Sequence, residues 1–210
     1  MSRRTTLPTE RKPEDRAAET LLDGTVSVPW ERPVHVARLA LLTRVAHAGQ
    51  LSVHVACGTD RLGFIDVAFG LTTILTDIDG ASLDILSQQL TDLQDRLGPF
   101  PGCVQFRQIA VEALMSREGF PPASIQHLTL QNLFNARVHP VGAYPCIIDT
   151  LLAVIADGGT CFITESEAAV LKTRALIHGA RLLLLGRSPG YYDEDVFMLR
   201  VRKPPGERSA

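Results

Sequence analysis

Along this chain, apolar residues recurring at every second position alternate with apolar residues recurring at every third or fourth, and glycine, proline or aspartate marks most of the changes. Parallel strands cannot be joined by a tight turn and need a crossover element between them, so repeated strand–helix alternation confines the chain to a mostly parallel sheet covered by helices. The clearest helix carries Leu83, Leu86, Leu90, Leu93 and Leu97 on one stripe. Asp79 or Ser82 is placed to cap its start, and Gly98-Pro99 to end it.

The remaining segments follow the same logic. Residues 1–28 mix Arg, Thr, Pro and Glu without a sustained apolar period and are expected to form a flexible leader. Order is expected to begin near Pro33, in a helix whose face is Val34, Ala37, Leu41 and Val45, stopping at Gly49. A strand at 51–56 runs into Cys57-Gly58-Thr59-Asp60, and Leu62, Ile65 and Phe69 then fall on a short helix up to Gly70. A second strand at 71–76 ends in Asp77-Ile78-Asp79-Gly80.

Strands are expected at 103–109 and 125–130, and Pro145 opens a helix in which Ile148, Leu151, Leu152 and Ile155 share a face. Asp157-Gly158-Gly159 should break that helix before a strand at 160–164 and a helix at about 166–178. Segments 181–185 and 195–202 have no helical pattern between them and should pair antiparallel. The expected fold is therefore α/β, a Rossmann-like doubly wound, mostly parallel seven-stranded sheet with a terminal antiparallel strand pair. It occupies residues 29–203, followed by a flexible tail at 204–210, and its binding crevice lies at the carboxyl ends of the strands.

Composition narrows the function classes. The 210 residues are 45% hydrophobic and 21% charged, enough apolar material for one large core. Net charge is −2; residues 1–16 carry +2 and residues 200–210 carry +3, which leaves −7 on the body. An acidic body offers no phosphate-tracking groove, so neither DNA nor RNA is the expected substrate. No apolar run approaches the roughly 20 residues needed to cross a bilayer, and the residues after Arg3-Arg4 are polar where an export signal is apolar. No membrane partner is expected, and the expected location is cytoplasmic. Cys57, Cys103, Cys146 and Cys161 have neither paired spacing nor accompanying histidines, so free thiols and no metal are expected. The turn with Gly58 and Gly63 lacks the G-x-G-x-x-G of a nicotinamide enzyme, and neither a phosphate-binding P-loop nor a G-x-S-x-G elbow occurs.

Four stretches, in this order, carry the chemistry: Val53-His54-Val55-Ala56-Cys57-Gly58-Thr59-Asp60, Ile74-Leu75-Thr76-Asp77-Ile78-Asp79, Gln108-Ile109-Ala110-Val111-Glu112-Ala113-Leu114, and Leu128-Thr129-Leu130-Gln131-Asn132-Leu133-Phe134-Asn135. With them, residues 33–203 resemble the class I S-adenosylmethionine-dependent methyltransferases. The resemblance implies the fold above, S-adenosylmethionine as cofactor, and a loop of Ala56, Cys57, Gly58 and Asp60 against the methionine end of that cofactor. Gly58 matches the middle glycine of the family's loop, whereas His54 stands at its acidic position, Ala56 at its first glycine and Asp60 at its third. The methionine end is cationic, so Asp60 is the residue that would replace the missing acid.

Asp77 stands nineteen positions after Gly58, where an acid at the end of the second strand accepts the ribose hydroxyls, with Ile78 beside it. The resemblance places Ala110 and Val111 against adenine where the family often has an aspartate. Gln131 and Asn132 would line the crevice beside the transferring methyl, Tyr144 and the Tyr191-Tyr192 pair would wall the substrate pocket, and His139 is the general-base candidate because imidazole titrates near neutral pH. The implied activity is methyl transfer to a small-molecule substrate. The competing reading is a methyltransferase-like fold that has lost chemistry and serves as a binding or scaffolding protein, with a homodimer among the assemblies left open.

Overall fold

The structure is a computed structural model of the whole chain, and it describes residues 13–114, 119–131, 133, 141–166, 181–189 and 195–202. Its elements run α1 (Pro13–Thr25), α2 (Arg32–Val45), β1 (Leu51–Val55), α3 (Leu62–Ala68), β2 (Thr72–Asp77), α4 (Gly80–Leu97), β3 (Cys103–Gln108), β4 (Ile125–Gln131), α5 (Tyr144–Val154), β5 (Ile155–Ser166), β6 (Arg181–Pro189) and β7 (Asp195–Arg202). Of the helix expected at about 166–178, Ser166 ends β5 and the rest lies outside the described residues, as does the tail at 204–210.

The strands form one sheet in the order β3-β2-β1-β4-β5-β7-β6. β3, β2, β1, β4 and β5 are mutually parallel, and β7 runs antiparallel to both β5 and β6. Successive strands step outward from β1 to β3, and the chain then returns to the other side of β1 with β4. That reversal opens a crevice above the carboxyl ends of β1 and β4, which is where ligands bind in open α/β sheets.

Side chains alternate across the sheet, and the two faces differ in chemistry. On one face Val53, Val55, Ile74, Leu128, Leu130, Cys161 and Ile163 pack with Ile147, Ile148, Leu151 and Val154 of α5. On the other, Leu75 packs with the α4 leucines and Phe162 with Leu41, Leu42, Leu62 and Ile65 of α2 and α3. Between these two clusters the strands turn polar residues inward: Ser52, His54, Thr73 and Thr129 are all buried.

Three local expectations need correction. The leader expected at 1–28 contains α1, a thirteen-residue helix over Pro13–Thr25. Leu22 and Thr25 are buried, Leu22 packs with Val34, Leu41 and Leu42, and Arg32 reaches back to Glu19 and Asp23 at 2.6 Å each. The few apolar residues of α1 fall on one face and find a partner surface in α2, an outcome that composition averaged over the segment hides. Second, Asp157-Gly158-Gly159 does not separate helix from strand. Ile155 already begins β5, and the glycines form a bulge across which pairing jumps from Ile125 with Ile155 to His127 with Thr160. Third, Leu97 is 39% exposed at the end of α4, so the buried stripe there is Leu83, Leu86, Leu90 and Leu93.

Candidate functional site

β1 delivers the chain into a turn built on two left-handed residues, Ala56 at φ 53 and Gly58 at φ 52. The Cys57 N–H still donates to the Thr76 carbonyl at 3.1 Å, so the turn leaves the sheet only after Cys57. Among the described residues, a Cβ built at Gly58 meets nothing within 4 Å, so the loop presents bare backbone there. The Gly58 N–H donates to Asp77 Oδ2 at 2.8 Å, and the Asp79 N–H donates to Asp77 Oδ1 at 2.9 Å. Each carboxylate oxygen keeps acceptor capacity beyond its backbone donor, and Asp77 is only half-buried, so it can still accept hydroxyl protons.

The neighbouring aspartate does different work. Asp79 accepts the Ala81 N–H at 3.1 Å and the Ser82 hydroxyl at 2.7 Å, which caps α4 and holds its carboxyl below the ordinary value. Between the two, Ile78 is 71% exposed, and its carbonyl accepts the Gln108 side-chain amide at 2.9 Å. An apolar side chain is thus offered to solvent at the carboxyl end of the β2–β3 pair. Ala110 is half-buried nearby, while Val111 is 6% exposed and belongs to the core cluster with Leu114 and Phe120.

On the β4 side, Asp60 and Gln131 come together, with the Gln131 amide donating to Asp60 Oδ2 at 2.8 Å. Asp60 Oδ1 accepts the Leu62 N–H at 2.7 Å, and His35 Nε2 from α2 lies 3.4 Å from the same oxygen. Burial pushes the Asp60 carboxyl up, but His35, Leu62 and Gln131 outweigh burial and hold it below the usual carboxylate range. The site thus presents a fixed negative charge beside the bare backbone of Gly58.

Beneath the loop, His54 turns away from the crevice. It is buried against α3, with Nε2 3.1 Å from Asp66 Oδ2. Asp66 also receives the Arg38 guanidinium through Nε at 3.0 Å and through Nη2, as well as the Ser52 hydroxyl. Burial alone would raise the Asp66 carboxyl; the Arg38 and His54 interactions overcome it and hold it far below the usual range. The residue in the acidic position of the resembled family therefore supports the fold from below and does not face a ligand. Arg38, Asp66 and His35 were absent from the expected site, although Val34, Arg38, Leu41 and Leu42, and likewise Leu62, Asp66 and Phe69, keep helical spacing.

Other expected site residues separate. Cys57 is buried among Leu83, Leu86 and Leu90, and burial together with Asp77 and Asp60 pushes its thiol up to about 12, so only its backbone can meet a ligand. Tyr144 is 2% exposed and packs in the core cluster at the start of α5. Asn132, His139, Tyr191 and Tyr192 lie outside the described residues. Among the described residues, no group of three His, Cys, Asp or Glu side chains is arranged to hold a metal ion, and no helix is long and apolar enough to cross a membrane.

Neither a protein-family model nor a curated protein matches the sequence. Solved structures do match the fold. The N-methyltransferase NodS from Bradyrhizobium japonicum WM9 in complex with S-adenosyl-L-homocysteine aligns at TM-score 0.63 and 12% identity, over 90% of this chain and 99% of that one. An rRNA methylase from Streptococcus thermophilus aligns at TM-score 0.58 and 15% identity, over 85% and 99%. The [4+2]-cyclase SpnF aligns at TM-score 0.62 and 14% identity, over 86% and 85%. The fold is that of the class I S-adenosylmethionine-dependent methyltransferases.

Proposed function

We propose that this protein binds S-adenosylmethionine and transfers its methyl group to a small metabolite. The observation that carries the reading is the tie between Gly58 and Asp77 at the point where strand order reverses: an open backbone turn and a half-buried carboxylate held side by side. The residues fit such a ligand, since none of the described residues fills the space over Gly58 and Asp77 retains acceptor capacity for two ribose hydroxyls. Ile78 and Ala110 offer apolar surface to the nucleobase. Asp60 and Gln131 lie on the opposite side, toward the cationic methionine end.

When bound, S-adenosylmethionine supplies an already activated methyl group, so little proton chemistry is asked of the protein. Catalysis is then chiefly a matter of holding the acceptor atom in line, and His139 is proposed as the base where the acceptor must lose a proton. The acidic body of the chain favours a small acceptor over nucleic acid, although one structure of the same fold is titled an rRNA methylase. A second reading, a methyltransferase-like binding or scaffolding protein that has lost chemistry, is favoured by Ala56 and Asp60 at the glycine positions of the loop and by Ala110 in the adenine position.

Calorimetric titration with S-adenosylmethionine and S-adenosylhomocysteine tests the proposal. Binding that Asp77→Ala weakens by about tenfold or more is expected for loss of a charged acceptor. Absence of heat at millimolar ligand removes the cofactor reading, and unchanged affinity in Asp77→Ala shows the ribose to be elsewhere.

A further inference from the structure

His35 is fully buried, stands on α2 and reaches the loop that follows β1. Its Nδ1 is 3.1 Å from the Thr25 hydroxyl of α1, and that hydroxyl donates to the Leu22 carbonyl at 3.3 Å. A hydroxyl has one proton to give. With it directed at Leu22, the Thr25 oxygen accepts from His35 Nδ1–H, which fixes the ring and aims Nε2 at Asp60 Oδ1, 3.4 Å away. Among the described residues, Nε2 makes no aligned hydrogen bond there and has no other partner. A proton on Nε2 makes this contact an ion pair; without one, two acceptors face each other.

Asp60 is the one negative side chain of the loop, its carboxylate 23% exposed and its second oxygen shared with Gln131. With ribose at Asp77 and the base over Ile78, the rest of an adenosyl ligand runs across β1 toward β4, where Asp60 and Gln131 stand. We infer that His35 is a positioning residue that acts through Asp60 on the amino-acid end of the ligand, and that the α1–α2 pair is thereby part of the ligand site. The inference rests on the cofactor reading above and adds to it a residue, a helix pair and a ligand moiety.

Three ligands separate this role from a structural one. S-adenosylmethionine and S-adenosylhomocysteine carry the amino-acid end, and 5′-methylthioadenosine lacks it. His35→Leu is expected to weaken the first two by about tenfold, the range of one charge-assisted contact, and to leave methylthioadenosine within about twofold. His35→Gln, whose amide can restore a donor to Asp60, is expected to recover most of the loss. Thr25→Val, isosteric but without the orienting oxygen, should show the same selectivity at about threefold, and it decides the matter if His35→Leu does not fold. Equal weakening of all three ligands, or no change in any, overturns the positioning role while cofactor binding stands. If the unaltered protein binds none of them at millimolar concentration, the cofactor reading fails and this inference with it.

Discussion

Arg38 and Asp66 meet inside the protein through two guanidinium nitrogens, both side chains fully buried, with Ser52 and His54 on the same carboxylate. Arg38 also lies over the Phe162 ring at 5.7 Å. A buried pair of this kind is most costly when one partner is removed, because the other is left as an uncompensated charge. Asp66→Asn and Arg38→Met should each lose about 3–5 kcal/mol of stability, whereas Arg38→Met with Asp66→Leu should recover a large part of it. Urea unfolding of the three variants checks this; a double variant as weak as the sum of the singles would contradict it.

The same carboxylate predicts an acid limb. Its pKa in the folded protein lies below the unfolded value, so the stability it contributes is complete above the ordinary carboxylate range of about 4 and is lost as pH falls from there toward the folded value. Urea midpoints of the natural protein should therefore decline between about pH 5 and pH 2, and those of Asp66→Asn should decline less steeply.

Ala56 occupies a left-handed conformation that disfavours any residue with a Cβ by about 1–2 kcal/mol. Ala56→Gly relieves that strain against an unfolded-state entropy of about 0.5–1 kcal/mol. The melting temperature should rise by about 1–3 °C. Gly58→Val creates the opposite situation, strain at φ 52 and a branched side chain in the open space above the loop. It should weaken adenosyl ligands far more than it lowers the melting temperature, and a variant that still binds normally would place the ligand elsewhere.

Two aspartates separated by one residue should behave differently. Asp77→Ala should weaken all three adenosyl ligands, methylthioadenosine included, because the ribose is common to them. Asp79→Ala removes the α4 cap and should lower the melting temperature by about 2–4 °C with little change in affinity.

Thiol reactivity should divide the cysteines two and two. Cys103 and Cys146 are exposed, whereas Cys57 and Cys161 are buried with thiols pushed upward, Cys57 to about 12. At pH 8 the thiolate fraction of Cys57 is on the order of one in ten thousand. A chromogenic disulfide reagent should titrate two thiols quickly and the remaining two only on unfolding.

Much of this architecture was legible in the sequence, and what was not has a physical reason. Strand and helix periods give the sheet because burial imposes period 2 or 3.6 whatever the family, and the distance from Gly58 to Asp77 places two residues that do meet. Asp79 reads as a cap because a short acidic side chain before an apolar stripe satisfies free N–H groups. Arg38, Asp66, His35 and His54 escape such a reading because charged or polar residues within an apolar stripe are ordinarily assigned to solvent. Here each is buried only because the others are. No single segment contains that information; it arises when α2, α3 and β1 are brought together.

α1 is joined to the turn after β1 by a short relay, Thr25 to His35 to Asp60. A fusion partner attached ahead of that helix, or a protease cut within it, is therefore felt at the turn after β1, and the amino-terminal stretch that looks most dispensable on paper is the one to leave untouched when the protein is engineered.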